Sequence, residues 1–138
     1  MISEIYNEND NRPEFLKDEF NQISIDFDGV IHKCSKGYFD GTIYDDPVEG
    51  SYKALETLSK KFDIIIFTAK ARDDRPLVEG KTGKELVWEW LEKHNMKKFI
   101  KDVTAIKPRA IFYLDDRAVV FKTWNKFFDD LADLNVNK

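Results

Sequence analysis

Apolar residues along the chain form short runs rich in β-forming side chains, separated by stretches with a helical repeat. The runs at 22–27, 64–67 and 111–114 predict strands, and residues 103–105 predict a further short one. The run at 64–67 has no polar position, as expected for a strand covered on both faces. Strands that alternate with helices indicate right-handed βαβ units, so the pattern predicts an α/β fold with a parallel sheet and helices on both faces.

Two helix starts carry capping signals. Asp46 can cap a helix whose first position is Pro47, and Glu49 can reach back to the cap. Thr82 and Glu85 have the spacing of a capping box. The first predicted helix has an apolar stripe at Tyr52, Leu55, Leu58 and Phe62. The second has one at Leu86, Val87, Trp90 and Leu91.

The remaining segments are less regular. Residues 1–20 read as a polar N-terminal extension to a core at 21–138, with a short amphipathic helix predicted around residues 15–20. Glycines and aromatic residues at 30–45 predict a small β-hairpin flap after the first strand. Residues from 123 onward predict a last helix, and residues 118–121 fit either its first turn or a fifth strand.

Composition narrows the class of protein. A chain of 138 residues with 42% hydrophobic residues predicts one folded domain. A net charge of −4 argues against general binding to nucleic acid, although a local basic groove stays open. The single cysteine, Cys34, suits a reducing compartment, and no apolar run is long enough to span a membrane. We therefore expect a cytoplasmic protein without a membrane partner.

The candidate chemistry begins with Asp26 and Asp28, directly after the first predicted strand. Side chains two apart in a strand share a face, so the carboxylates repel each other unless a cation or hydrogen-bond donors separate them. Oxygen-only ligands favour Mg²⁺. A simpler interpretation, a strand followed by an Asp-Gly turn, explains the same residues equally well.

Further polar residues follow or precede the other predicted strands. Thr68 comes directly after residues 64–67, and Asp115 and Asp116 come directly after residues 111–114. Lys107 lies in the loop before that last strand, where Pro108 stiffens the chain. Because ligands of parallel sheets bind at the carboxyl ends of the strands, these groups are expected to converge. Carboxylates, a hydroxyl and an ammonium are the groups that phosphoryl transfer needs.

The ordered set of these motifs resembles the haloacid dehalogenase-like phosphatase superfamily. It consists of D-F-D-G-V at 26–30, Thr68 after an apolar strand, Lys107, and L-D-D at 114–116. The resemblance covers residues 22–121 and extends to small stand-alone hydrolases of bacteria and their phages. It implies a three-layer Rossmann-like fold and a Mg²⁺-dependent phosphomonoester hydrolase that acts through an aspartyl-phosphate.

The resemblance also implies roles for individual residues. Asp26 would be the nucleophile, and Asp28 would be the general acid and then the general base. Thr68 and Lys107 would hold the phosphoryl oxygens, with Lys107 also screening Asp26. Ala69 and Gly29 would border the substrate.

For the metal, the resemblance implies Asp26, the carbonyl of Asp28, and Asp115 or Asp116 as ligands. The paired motif leaves open which of the last two contacts the ion directly and which orients the ligands without contacting the ion.

Loop lengths leave no room for a cap domain, because residues 29–67 and 69–106 must already hold predicted elements. A capless site is open, which favours large substrates or an oligomer whose neighbouring subunit supplies a lid. The substrate is then a small phosphate ester or a phosphorylated nucleic-acid end. A receiver-like phosphoryl-binding domain and a non-catalytic scaffold are alternatives from other classes. In a receiver the acidic pair comes first and the phosphorylated aspartate lies mid-chain, whereas here D-x-D comes first and the acidic pair last. The presence of all the residues that the chemistry needs argues against a scaffold.

Several residues near the predicted site favour ordinary roles. Lys70, Arg72 and Arg75 could recognise a second phosphate, but a solvated loop interleaved with acidic residues explains them better. His32 and Cys34 follow Asp28 closely without the partners that a metal site or thiol nucleophile requires.

Overall fold

The computed structural model describes residues 21–133, and these form an α/β fold around one parallel sheet. The sheet has four strands in the order β3-β2-β1-β4. This confirms the predicted α/β class and the parallel sheet. The elements in chain order are β1 Gln22–Ile25, α1 Ser51–Ser59, β2 Asp63–Phe67, α2 Gly83–Lys93, β3 Asp102–Thr104, β4 Tyr113–Leu114 and α3 Trp124–Asp133.

Strand register explains how the core forms. In β1, Ile23 and Ile25 lie beside Ile64 and Ile66 of β2, and all four side chains are buried. Because side chains alternate along a strand, these residues point to one face of the sheet. That face joins residues of α1 and α2 in a single core, which includes Leu55, Val87, Leu91 and Val103.

The predicted helical layer on the second face of the sheet stays a prediction. Ser24 and Ile65 lie opposite each other in the register and are buried, yet neither belongs to that core cluster. Helix α3 has no buried residue. The predicted short helix near residues 15–20 lies outside the described residues.

The predicted start of the first helix is wrong. Helix α1 begins at Ser51, and Gly50 precedes it with φ +89° and without a capping side chain. The backbone at 46–48 is engaged elsewhere: the amide of Lys33 donates to the carbonyl of Asp46 at 3.0 Å, and the amide of Val48 donates to the carbonyl of Ile31 at 2.8 Å. These bonds close the base of the loop that follows β1, so the helix starts only after them.

The capping box of the second helix is confirmed. The amide of Glu85 donates to the Thr82 hydroxyl at 3.1 Å, and the amide of Thr82 donates to the Glu85 carboxylate at 3.0 Å. On α2, Val87, Trp90 and Leu91 are buried as the apolar stripe predicts.

Strand β4 is shorter and more exposed than predicted. It forms the sheet edge beside β1, with Tyr113 41% and Leu114 47% exposed. Residues 118–121 are neither strand nor helix, so neither alternative for them holds.

The loop between β1 and α1 contains turns and isolated bridges around His32, and the hairpin flap predicted there stays a prediction. No helix within residues 21–133 is long and apolar enough to cross a membrane.

Candidate functional site

The candidate site is an open cleft of about 430 Å³ where β1, β2 and β4 end. Seven of the eight residues predicted from the sequence line it, together with Lys70, Arg75 and Arg117. Lys107 is the one predicted residue that is absent from its wall. The predicted residues that line it are Asp26, Asp28, Gly29, Thr68, Ala69, Asp115 and Asp116.

Asp26 is held by the end of the sheet. Its amide donates to the carbonyl of Leu114 at 2.9 Å, which extends the pairing of β1 with β4 by one residue. One of its carboxylate oxygens accepts from the amide of Phe27 at 2.8 Å. The side chain is therefore fixed at the carboxyl end of β1, an inner strand, where a ligand of a parallel sheet would bind.

A tight turn follows Asp26 and brings Asp28 into the same cleft. The carbonyl of Phe27 accepts from the amides of Ile31 and His32, and Gly29 has φ +86°. Residues other than glycine rarely adopt this backbone region. The two aspartates thus meet through a turn, and not through the continued strand that the sequence pattern indicated.

Asp115 and Asp116 lie across from Asp26. One oxygen from each of Asp26, Asp115 and Asp116 lies within 4.8 Å of the others, close enough for a single cation. Asp116 packs over Gly29, where an added Cβ would lie 3.0 Å from its carboxyl carbon and overlap one of its oxygens. Gly29 therefore makes room for the acidic cluster.

The acidic cluster changes the pKa of Asp26. Burial raises this pKa, the amide of Phe27 lowers it, and the charges of Asp115 and Asp116 raise it further, to about 6. Repulsion of this kind is relieved when a cation binds. Three carboxylates with oxygen ligands fit a hard divalent ion such as Mg²⁺.

Asp28 has two proton-bearing partners. The Nδ1 atom of His32 lies 2.8 Å from one carboxylate oxygen, and the Nζ atom of Lys70 lies 3.3 Å from the other. Burial acts to raise the pKa of Asp28, but the hydrogen bond from His32 and the charge of Lys70 outweigh it, so the net pKa is lowered. Asp28 is therefore held as an oriented carboxylate.

His32 is fully buried, and its tautomer follows from its contacts. Its Nε2 atom accepts from the amide of Asp45 at 3.1 Å, so Nδ1 carries the proton that it donates to Asp28. The ring packs against Phe27 and Trp90. His32 thus orients Asp28 from the hydrophobic core.

Lys70 is only 7% exposed although it is a charged residue in the connection between β2 and α2. Thr68 caps the short 3-10 helix Ala69–Ala71 by accepting from the amide of Lys70 at 3.2 Å. Helix α2 begins at Gly83, where a Cβ would overlap the Lys70 carbonyl. This close approach packs the start of α2 against the loop, and the ammonium of Lys70 reaches Asp28.

Thr68 is itself 5% exposed, and its amide donates to the carbonyl of Thr104 at 2.9 Å. Its hydroxyl oxygen accepts from Lys70, and a hydroxyl can accept one bond and donate another. The Thr68 proton is therefore available to an oxygen in the cleft.

Lys107 is placed elsewhere. It is exposed, and its Nζ atom lies 4.6 Å from the ring centre of Tyr113. The Tyr113 hydroxyl donates to the carbonyl of Pro108 at 2.6 Å, which closes this loop on the edge strand. The structure thus brings Lys70, and not Lys107, to the carboxylates.

Lys70 and His32 are the site residues that sequence reasoning set aside. The available signals were the position of Lys70 two residues after a strand-end threonine and that of His32 four residues after Asp28.

Asp28, His32 and Cys34 also offer ligand atoms within 4.8 Å of one another. Both nitrogens of His32 are engaged and a lysine cation lies on Asp28, so this second group is a poor cation site.

No family model, curated protein or solved structure matches the chain. What the cleft can do therefore follows from its own geometry.

Proposed function

We propose that the protein is a Mg²⁺-dependent phosphohydrolase that cleaves phosphomonoesters through an aspartyl-phosphate on Asp26. The observation that carries the proposal is the meeting of three carboxylates, spaced for one cation, with Asp28 and the hydroxyl of Thr68 in one open cleft. Phosphoryl transfer depends chiefly on positioning and on compensation of oxygen charge, and this set of groups supplies both.

Asp26, Asp115 and Asp116 would hold the metal ion, which when bound screens the charge of the phosphoryl oxygens. In the first step, a carboxylate oxygen of Asp26 forms a bond to phosphorus while the bond to the leaving-group oxygen breaks. That oxygen takes a proton that the ammonium of Lys70 gives up through Asp28, and Lys70 regains it when Asp28 later takes a proton from water.

In the second step, water attacks phosphorus, the bond to Asp26 breaks and inorganic phosphate leaves. Asp28 takes the proton of the attacking water, a role that suits a carboxylate with a lowered pKa. Thr68 donates its hydroxyl proton to a phosphoryl oxygen. Lys70 compensates charge beside Asp28, and it is the lysine of the cleft in place of Lys107, to which the resemblance gave the phosphoryl oxygens and the screening of Asp26.

Hydrolysis of a generic aryl phosphate, with Mg²⁺ and then with chelator, tests the proposal. We expect turnover that needs Mg²⁺ and falls roughly 1,000-fold or more in Asp26→Asn, because the nucleophile is lost. Asp73→Asn is the matched control, since this exposed carboxylate lies outside the cleft. Full turnover in Asp26→Asn, or turnover unaffected by chelator, would refute the mechanism.

A further inference from the structure

Three aromatic or cationic residues of the cleft wall have no part in the chemistry proposed above. Tyr38, Arg75 and Arg117 line the same cleft as the acidic cluster, at positions contributed by three different loops. No cap segment interrupts the described chain between β1 and β4, so the cleft that they line is open.

Among the described residues, no carboxylate forms an ion pair with Arg75 or Arg117. Arg75 lies with its guanidinium carbon 5.5 Å from the ring centre of Tyr38. Arg72 differs, since its Nε donates to Asp74 at 2.8 Å and it lies outside this cleft. A cationic side chain without a carboxylate partner at a site rim attracts an anionic ligand.

Tyr38 supplies an aromatic surface in the same cleft, beside Arg75. Its ring is 53% exposed, although its hydroxyl end is held against the loop: a Cβ on Gly41 would lie 3.0 Å from that hydroxyl and 3.0 Å from Val78. An exposed ring that is fixed at one end binds a planar group at little entropic cost.

The balance of charge in the cleft depends on the metal ion. Four carboxylates and three cationic side chains line it, so its formal charge is −1 alone and +1 with one divalent ion. A polyanion would therefore be attracted only to the metal-loaded cleft, which reconciles a local anion site with a protein of net charge −4.

We propose that the substrate is the phosphorylated end of a single-stranded nucleic acid, an inference that rests on the phosphohydrolase function proposed above. The terminal phosphate lies at Asp26, neighbouring backbone phosphates contact Arg75 and Arg117, and a base stacks on Tyr38. Cationic side chains interleaved with an exposed aromatic ring are the usual composition of single-strand sites. An open cleft also admits a chain that continues beyond the cleaved group.

Binding is measured on the wild-type protein with a fluorescent oligonucleotide of about eight nucleotides. One probe ends in a non-hydrolysable phosphonate at the 3′ end, a second carries it at the 5′ end, and a third has only hydroxyl ends. We expect anisotropy to show Mg²⁺-dependent binding that prefers one phosphonate end over the hydroxyl ends.

Arg75→Gln and Arg117→Gln should each weaken this binding about 10-fold or more. Each should also lower the slope of log affinity against log salt by about 0.7. Tyr38→Ala should weaken binding about 10-fold through lost stacking. Arg72→Gln is the matched control, since it makes the same change of charge in the same loop as Arg75→Gln. It should bind the oligonucleotide like the wild type.

Equal binding by Arg72→Gln, Arg75→Gln and Arg117→Gln would overturn the inference, and so would equal binding of phosphonate and hydroxyl ends. Turnover of aryl phosphate by the wild type separates the two proposals. Turnover without selective oligonucleotide binding removes the nucleic-acid substrate and leaves the phosphatase. Selective binding without any turnover of phosphorylated ends removes the phosphatase and leaves a nucleic-acid site.

Discussion

Replacement of Gly29 by alanine would test how the turn after β1 makes room for the acidic cluster. Gly29 has φ +86°, and an alanine in this region costs about 1–2 kcal/mol of folding free energy. The new Cβ would also lie 3.0 Å from the carboxyl carbon of Asp116, against an ordinary contact of 3.4–4 Å, and would overlap one of its oxygens.

The backbone cost affects folding stability, whereas the displacement of Asp116 affects metal binding. The exposed Asp116 can rotate away, so we expect the free energy of unfolding of the metal-free protein to fall only by the backbone cost. The rotated carboxylate no longer meets the other ligands, whose distances to a metal ion tolerate only about 0.2 Å. We therefore expect Mg²⁺ affinity to fall about 10- to 100-fold.

Gly50→Ala is the matched control. Gly50 has φ +89°, nearly the same backbone conformation, and nothing lies within 4 Å of an added Cβ. Chemical denaturation would give the stability change and calorimetric titration the Mg²⁺ affinity. The reasoning fails if Gly29→Ala binds Mg²⁺ as tightly as the wild type, or if Gly50→Ala loses the same affinity.

Three further predictions test the remaining parts of the site and fold. Lys70→Met should lower kcat/KM for an aryl phosphate about 10- to 100-fold because Asp28 loses its cation. Lys107 is exposed, so Lys107→Met should change kcat/KM less than about 3-fold. Steady-state kinetics would show the reverse order if Lys107 were the phosphoryl ligand. Mg²⁺ affinity should fall as the pH drops through about 6, because protonation of Asp26 competes with the ion; a titration series flat from pH 7 to roughly pH 5 would contradict the raised pKa. Thr82→Ala should cost about 1 kcal/mol in denaturant unfolding and leave kcat/KM unchanged, since it removes a helix cap and no group that lines the cleft; an unchanged midpoint would show that the cap is dispensable.

Local patterns predicted much of the fold. The run at 64–67 forms the buried part of β2, and Thr82 and Glu85 form the predicted capping box. Such signals succeed because a cap or an alternating strand depends on residues close in sequence. The prediction failed at Asp46 and Pro47, whose local signal for a helix start is overridden by pairing with the loop at 31–33.

The grouping of carboxylates was also predictable from the sequence. Which lysine lies beside them in the cleft was not. Asp26, Asp115 and Asp116 follow two strands, and adjacent parallel strands bring their carboxyl ends together whatever the rest of the chain does. Lys70 and Lys107 both lie near strand ends, so position along the chain does not distinguish them.

Only the tertiary structure decides between the two lysines. Lys70 follows the central strand β2 and is buried because α2 approaches its backbone at Gly83, where a side chain would not fit. Lys107 precedes the edge strand β4 and lies over the exposed ring of Tyr113. Element type depends on neighbours in sequence, but the burial of a long charged side chain depends on which distant element packs over it, and the chain order does not specify that contact.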